Sequence, residues 1–459
     1  MPRHSLPSLL LTALLASCAG TGITTRPDEL PVPADWARGG DAGEVAADWL
    51  EAFGDPRLEA LVGEAIEQNF SLRQESERVA SARQAVVIAR AGRLPVLEIG
   101  VDGSRRSSEL AGGGSLVTES YELALGGRWD LDPWQRLGKQ QQAAELALAA
   151  QEARYAALAR AVAGTTAAQY FAALEAGQLL AVAERRLANA IESRDIVASG
   201  YRQGLNDALD LYLARNQVER ERANLALQQQ NRLEAIADLQ LTLARYPDGV
   251  VGDLPDLPVL EAPIPAGLPS DLLTRRPDLQ EAWLGLLAAD AELAAAHRAR
   301  FPSLSLVGSA GQTAGEFSDL VDNGAGAWSL AFSLAQPLFE SGRLVALEQQ
   351  ALARVRIAEQ AYLDLAYRAF AEVENAISRA ASLTARYSAL LEAEKNSRAA
   401  LELALEQYQR GLVSYTTVLE SQRQAFDAEA TVVSLRNQRL QNRIALYLAL
   451  GGDFSTTTP

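Results

Sequence analysis

One cysteine, Cys18, and two histidines, His4 and His297, carry all the thiol and imidazole chemistry in 459 residues. A thiol can act as a nucleophile, bind a metal, pair as a disulfide or be alkylated. With one cysteine there is no pair, and no Ser-His-Asp or metal-ligand spacing surrounds it. Gly112-Gly113-Gly114 is the only short glycine run that could cradle a phosphate. It lacks the lysine and the following helix that a phosphate loop needs. His297 corresponds to Arg90 in an internal repeat described below, so it reads as a polar residue at a helix end. No catalytic residue and no metal site is therefore expected. The net charge of −16 repels phosphate backbones and sets nucleic-acid binding aside.

Alkylation is the chemistry that fits Cys18. Arg3 supplies a positive start, and Leu9 to Leu15 form an apolar core too short to span a bilayer as a helix. Leu15-Ala16-Ser17-Cys18 follows directly and resembles a bacterial lipobox. Residues 1–17 are expected to leave as a signal peptide. Cys18 is then expected to carry a diacylglyceryl group and an N-acyl chain, a firm attachment because several chains bind far better than one. Ala19, where an aspartate would resemble an inner-membrane retention signal, implies sorting to the outer membrane. After the signal no apolar run reaches the length of a transmembrane helix, so any span must be β.

The elements around these residues are organised as a repeat. Arg93-Leu94-Pro95 recurs as Arg300-Phe301-Pro302, 207 residues later. Tyr201-Arg202-Gln203-Gly204-Leu205 recurs at the same offset as Tyr408-Gln409-Arg410-Gly411-Leu412. The expected organisation is a lipidated segment 18–55, repeat one 56–245, a linker 246–262, repeat two 263–452 and a tail 453–459. Prolines 247, 255, 258, 263, 265 and 269 crowd the join, where neither helix nor sheet can continue.

Each copy reads as helix, two strands, very long helix, turn, helix. The first helix is expected over Pro56 to Gly92, with Ser270 as N-cap of its counterpart. Leu97, Ile99 and Val101 alternate with polar or small residues, as do Tyr121, Leu123, Leu125, Trp129 and Leu131. Leu304 and Leu306, then Trp328, Leu330, Phe332 and Leu334, repeat the pattern. Runs of about ten residues suit tilted transmembrane strands, and a half-buried soluble sheet has the same alternation. Gly112 to Gly114 and the Gly311–Gly326 stretch read as the joining loops.

No proline occurs from Trp134 to Tyr246 or from Leu338 to Thr458. An unbroken helix there would be on the order of 100 Å long, a coiled-coil or barrel stave. Ala351, Val355, Ala358, Tyr362, Leu365 and Ala369 give the 3–4 spacing of a left-handed seam. Gly204 and Gly411 supply turns at the two hairpin tips.

Trp49-Leu50-Glu51-Ala52-Phe53-Gly54-Asp55-Pro56 and Gly267-Leu268-Pro269-Ser270-Asp271-Leu272-Leu273-Thr274-Arg275-Arg276-Pro277-Asp278-Leu279 resemble the TolC-like outer-membrane efflux proteins, in particular their lipoprotein branch of the NodT type. Phe301 to Leu306 and Tyr408 to Leu412 match that branch too. Pro133 and Gln135 depart from it, standing where the family shows an apolar residue and a glycine. The resemblance implies an α+β membrane protein with a two-fold internal repeat. Long α-helical staves and four transmembrane strands per protomer would close a 12-stranded β-barrel as a homotrimer. Closure also follows from physics, since four strands leave open edges that lipid cannot satisfy.

The implied partners are outer-membrane lipids, a periplasmic adaptor protein and an inner-membrane pump, commonly proton-driven. The implied function is a passive exit duct for drugs or other toxic small molecules, as in multidrug resistance. By the same resemblance the tips Tyr201, Gly204, Leu205, Tyr408, Gly411 and Leu412 meet the adaptor. Asp195, Glu402 and Glu406 lie one or two turns before the tips and are candidates for a periplasmic gate. Solvated charges on an outer helix face are the plainer reading of those three. Two other readings stay open: a lipid-anchored periplasmic coiled-coil scaffold without a pore, and a duct for type I protein secretion.

Overall fold

A computed structural model describes residues 32–39, 48–109, 112–205, 207–252, 254–259, 264–267, 269–322 and 324–454. Cys18 and the signal segment lie outside the described residues. The main elements are α1 (Pro56–Gln68), α2 (Phe70–Ala91), β1 (Val96–Glu109), β2 (Ser115–Leu131), α3 (Arg136–Arg202) and α4 (Ala208–Thr242). The second half holds α5 (Pro277–Arg298), β3 (Ser303–Ala314), β4 (Ala325–Ala335), α6 (Arg343–Gln409) and α7 (Tyr415–Ala449). The repeat shows in these boundaries. Helices α3 and α6 are each 67 residues, and α4 and α7 each 35.

The chain divides into two compact units, and each draws on both copies of the repeat. One holds Glu77–Ala153 and Gln280–Asp364; the other is built from Arg154–Leu279 with the described parts of Pro31–Ser76 and Leu365–Pro459. The first unit contains one antiparallel sheet in the order β1-β2-β3-β4. Its helical part packs Leu286 and Leu293 of α5 against Ala351 and Val355 of α6.

The core of the second unit explains both motifs that carried the family resemblance. Gly54 adopts φ +61°, a left-handed conformation that suits glycine. Asp55 then caps α1 by accepting from the amides of Arg57 and Leu58, and Pro56 takes the first helical position. The Tyr170 hydroxyl donates to Asp55 at 2.7 Å. Burial, then that carboxylate, pushes the phenol well above its ordinary range. Trp49 and Phe53 are buried with Phe171, Tyr170 and Tyr447, each large side chain contributing roughly 1.5–3 kcal/mol. In the second motif the Arg276 guanidinium binds Asp278 at 2.7 and 3.0 Å, Glu372 at 2.6 Å and the Ala449 carbonyl at 3.3 Å. Burial alone would lower its pKa, and the two carboxylates outweigh that and hold it above the usual value.

Four expectations need correction. The first helix does not run unbroken to Gly92. It stops at Asn69, whose side chain caps the next helix at Ser71 and Leu72 and donates to the Thr242 carbonyl. Ser270 caps no long helix. Pro269–Asp271 is a 3-10 turn, Leu272–Arg275 one helical turn, and Pro277 forces a fresh start by restricting the residue before it. Gly311 lies inside β3, opposite Ala124 and Ala327, so the loop is only 315–324. In the α6 seam Glu359 and Ala366 are more buried than Ala358 and Leu365, one residue off the expected line.

Gln135 is held at φ +58°, where its counterpart in the repeat is Gly342 at φ +84°. A left-handed L-residue costs roughly 1–2 kcal/mol, and glycine's extra unfolded-state entropy offsets part of the gain from relieving it. Gln135→Gly is expected to stabilise the protein by about 0.5–1 kcal/mol. A thermal or denaturant midpoint that falls instead would show that the glutamine side chain holds the strand-to-helix turn.

Candidate functional site

No helix among the described residues is long and apolar enough to cross a membrane. The sheet is different. Its register puts Ile99, Leu125, Ala310 and Trp328 on one rung, Trp129, Leu306 and Phe332 on another, and Leu131, Leu304 and Leu334 on a third. All of these point to one face. Most of its large members are exposed, with Trp328 at 80 % and Ile99 at 76 %. The other face carries Asp102, Glu122 and Thr313 on one rung and Glu98, Gly126, Ser309 and Ser329 on another. An apolar face in water would cost several kcal/mol per rung at about 25 cal/mol per Å². A surface this large and continuous marks a membrane or partner.

Aromatic residues bracket the apolar band. Trp129 donates its indole N–H to the Arg93 carbonyl at 3.0 Å, and Trp134 to the Pro302 carbonyl at 2.8 Å. At the opposite end Tyr121 stands edge-on to Phe317. Amphipathic rings at two levels, with apolar side chains between, are the pattern of a strand wall in lipid.

The hairpin tips are built by two copies of one helix ending. Gly204 and Gly411 have φ +73° and +74°. The Leu205 amide donates to the Gly200 carbonyl at 2.9 Å, and the Gly204 amide to Tyr201 at 3.0 Å. Leu412 and Gly411 repeat both bonds to Gln407 and Tyr408 at 2.9 Å. This is a Schellman ending, in which the residue after the glycine normally packs back on its own helix. Leu205 and Leu412 instead stand 76 % and 69 % exposed. Behind them one core joins the two hairpins: Val197, Leu211, Ala214, Ala404, Tyr415 and Val418. Tyr408 packs on that core beside Tyr415, whereas Tyr201 is exposed. Burial raises the Tyr415 phenol above its ordinary range. Burial, then the Asp207 charge, raises the Asp210 carboxyl.

Sequence reasoning missed Leu209 and Tyr212, both exposed on the first turns of α4. Their repeat counterparts are Thr416 and Leu419, so comparing the two copies position by position was the available signal. It also missed a polar layer one level further in. There Arg186 pairs with Glu221 at 3.3 Å and Asp427 at 2.9 Å, and Gln422 donates to Ser193 at 2.7 Å.

The gate candidates are not alike. Asp195 binds the neighbouring Arg194 at 2.7 Å, and Glu406 binds Arg410 at 2.5 Å. Glu402 is exposed and pairs with no cation among the described residues.

Comparison with known proteins adds four findings. A family model described as outer membrane efflux protein matches residues 61–245 and 268–452. The solvent efflux pump outer membrane protein SrpC of Pseudomonas putida is 31% identical over 100% of both chains. The cation efflux system protein CusC of Escherichia coli O157:H7 is 31% identical over 96% of this chain and 98% of its own. Among solved structures, the outer-membrane channel OprN superposes with a TM-score of 0.87 at 26% identity, covering 94% of this chain and 98% of that one.

Proposed function

The chain belongs to the outer membrane efflux protein family, and from that membership we propose how this particular sequence forms and closes its duct. It is the outer-membrane channel component of an efflux system, in a family of channels and not of enzymes. Three copies close a 12-stranded β-barrel. The observation that carries this is the sheet itself. Strands β1 and β4 each pair on one side only among the described residues, and an open edge in lipid leaves unpaired amides. The long helices of the same trimer form an α-helical barrel in the periplasm. Acylated Cys18 is a second attachment to the membrane.

The tips take an adaptor protein, with Leu205, Leu412 and Tyr201 as the contacting side chains and Gly204, Gly411 and Tyr408 setting their geometry. Through that adaptor the duct works with a proton-driven inner-membrane pump. The exposure of the two leucines at helix endings that normally bury them supports this. The cargo is a small toxic molecule that the pump selects. The channel's part is passive: an aqueous path lined by the polar sheet face, with charge near its periplasmic end deciding what leaks. Glu402 is the strongest gate residue of the three candidates, because Asp195 and Glu406 already have arginine counter-ions.

Single-channel recording in planar bilayers tests the duct and the gate together. The wild type is expected to run as heat-resistant trimers, conduct, and be blocked by polyvalent cations from the periplasmic side. Glu402→Gln is expected to weaken that block about tenfold, as loss of three ring charges near a constriction would. Trimers that never conduct would replace the duct with a scaffold. Unchanged block in the variant would remove Glu402 from the gate.

A further inference from the structure

The two ends of the sheet carry opposite charge. Where the chain enters and leaves the strands on the helix side, segments 90–95, 132–139, 297–302 and 336–343 hold seven Lys or Arg against two Asp or Glu. At the other end, segments 104–119 and 315–324 hold two Arg against five Asp or Glu. The whole protein has a net charge of −16, so the first set is a local reversal of sign. The arginines also follow the repeat: Arg93 and Arg300 precede the strand pairs, and Arg136 and Arg343 follow them.

Several of these cations lack a carboxylate partner. Arg93 donates to the neutral Gln141 side chain at 2.8 Å, and Arg298 to the Gln135 carbonyl at 3.1 Å. Arg90 and Arg136 form no ion pair among the described residues. Arg300 and Arg343 are paired, with Glu348 and Glu340. Two of the unpaired arginines, Arg93 and Arg298, are tied to the segments that carry Trp129 and Trp134. The Arg93 carbonyl accepts from Trp129, and Arg298 is bound to the residue next to Trp134.

We propose that this rim is a binding belt for anionic phospholipid headgroups, with Arg90, Arg93, Arg136 and Arg298 as its phosphate-contacting residues. The inference rests on the reading that the apolar sheet face lies in the bilayer. Continuity with that face identifies the occupant as lipid. Indole rings settle at headgroup depth, and long arginine side chains close to that depth can reach the phosphate layer. Guanidiniums suit phosphate because their planar donors can bind two oxygens at once. The acidic far end repels the same lipids, so the belt also selects which end of the barrel meets the phospholipid leaflet.

The test reconstitutes the full-length protein in phosphatidylcholine vesicles with and without phosphatidylglycerol. Lipids retained after extraction are counted by native mass spectrometry. Phosphatidylglycerol is expected to be retained preferentially. Each of Arg93→Gln, Arg136→Gln and Arg298→Gln is expected to reduce that preference about fivefold, the effect of one basic residue at an anionic surface. Arg128→Gln, on the polar sheet face and paired with Asp130, is expected to leave it unchanged. Equal retention of the two lipids, or an unchanged triple variant, overturns the belt. Failure to insert into either vesicle overturns the underlying membrane reading instead.

Discussion

Gly411→Trp abolishes export while trimers still assemble; this is the sharpest expected result of the tip geometry. Gly411 holds φ +74° at the end of α6 and sets Leu412 out into solvent. A tryptophan there pays a left-handed backbone penalty of roughly 1–2 kcal/mol. That is too little to melt a 67-residue helix whose end is tied into a core of Val197, Leu211, Ala214, Ala404, Tyr415 and Val418. No heavy atom lies within 4 Å of where its Cβ would stand, so the side chain leaves the backbone into open space. The damage therefore falls on the proposed adaptor contact at Leu412. Gly411→Ala carries the same backbone strain without the bulk and is expected to keep most export. Dye accumulation in cells lacking another such channel, read beside heat-resistant trimers on gels, separates docking from folding. Normal export in the tryptophan variant would remove this tip from the adaptor contact.

A second large effect is expected at the sheet. Leu330 and Ala331 are neighbours on β4 and point to opposite faces: Leu330 lies beside Gly308, and Ala331 beside Val307 on the face of Glu98 and Arg128. Leu330→Arg puts a cation on the apolar band. Near the bilayer midplane that costs about 2–4 kcal/mol per strand position, three times over in a trimer. Membrane-integrated trimer is expected to fall severalfold, with the lost protein appearing as aggregate. Ala331→Arg is expected to assemble normally and alter conductance, since in the proposed barrel its face lines the water path. If both variants assemble equally, the sheet does not present its apolar face to lipid.

The residues that betrayed the family were legible because they encode local structure. Gly54, Asp55 and Pro56 spell a left-handed turn, a cap and a helix start within three positions. Arg276, Pro277 and Asp278 spell a helix start and a bidentate ion pair. Both motifs turn out to be architecture, far along the chain from the tips. Strand alternation was legible for the same local reason, since period two depends only on neighbours. What escaped depends on distant partners. Asn69 ends α1 and caps α2 while its amide is held by the Thr242 carbonyl, 173 positions away. Glu359 enters the α6 seam through packing that a 3–4 count does not see. The repeat itself hid the difference between the tips. Matching Tyr201 to Tyr408 made them equivalent, although one is exposed and the other packs on the shared core.

The equal lengths of α3 and α6 have a consequence for how such a chain can change. Both tips rest on one core, so the two helices act as paired rulers. Deleting one residue from α3 alone would shorten it by about 1.5 Å and turn everything beyond by about 100°. Leu205 would then point away from its present direction while Leu412 kept its own. Length can drift only when both halves gain or lose the same number of residues, and most easily in sevens, which restore the seam. The two copies of the repeat form a single object in which neither half can be edited without the other.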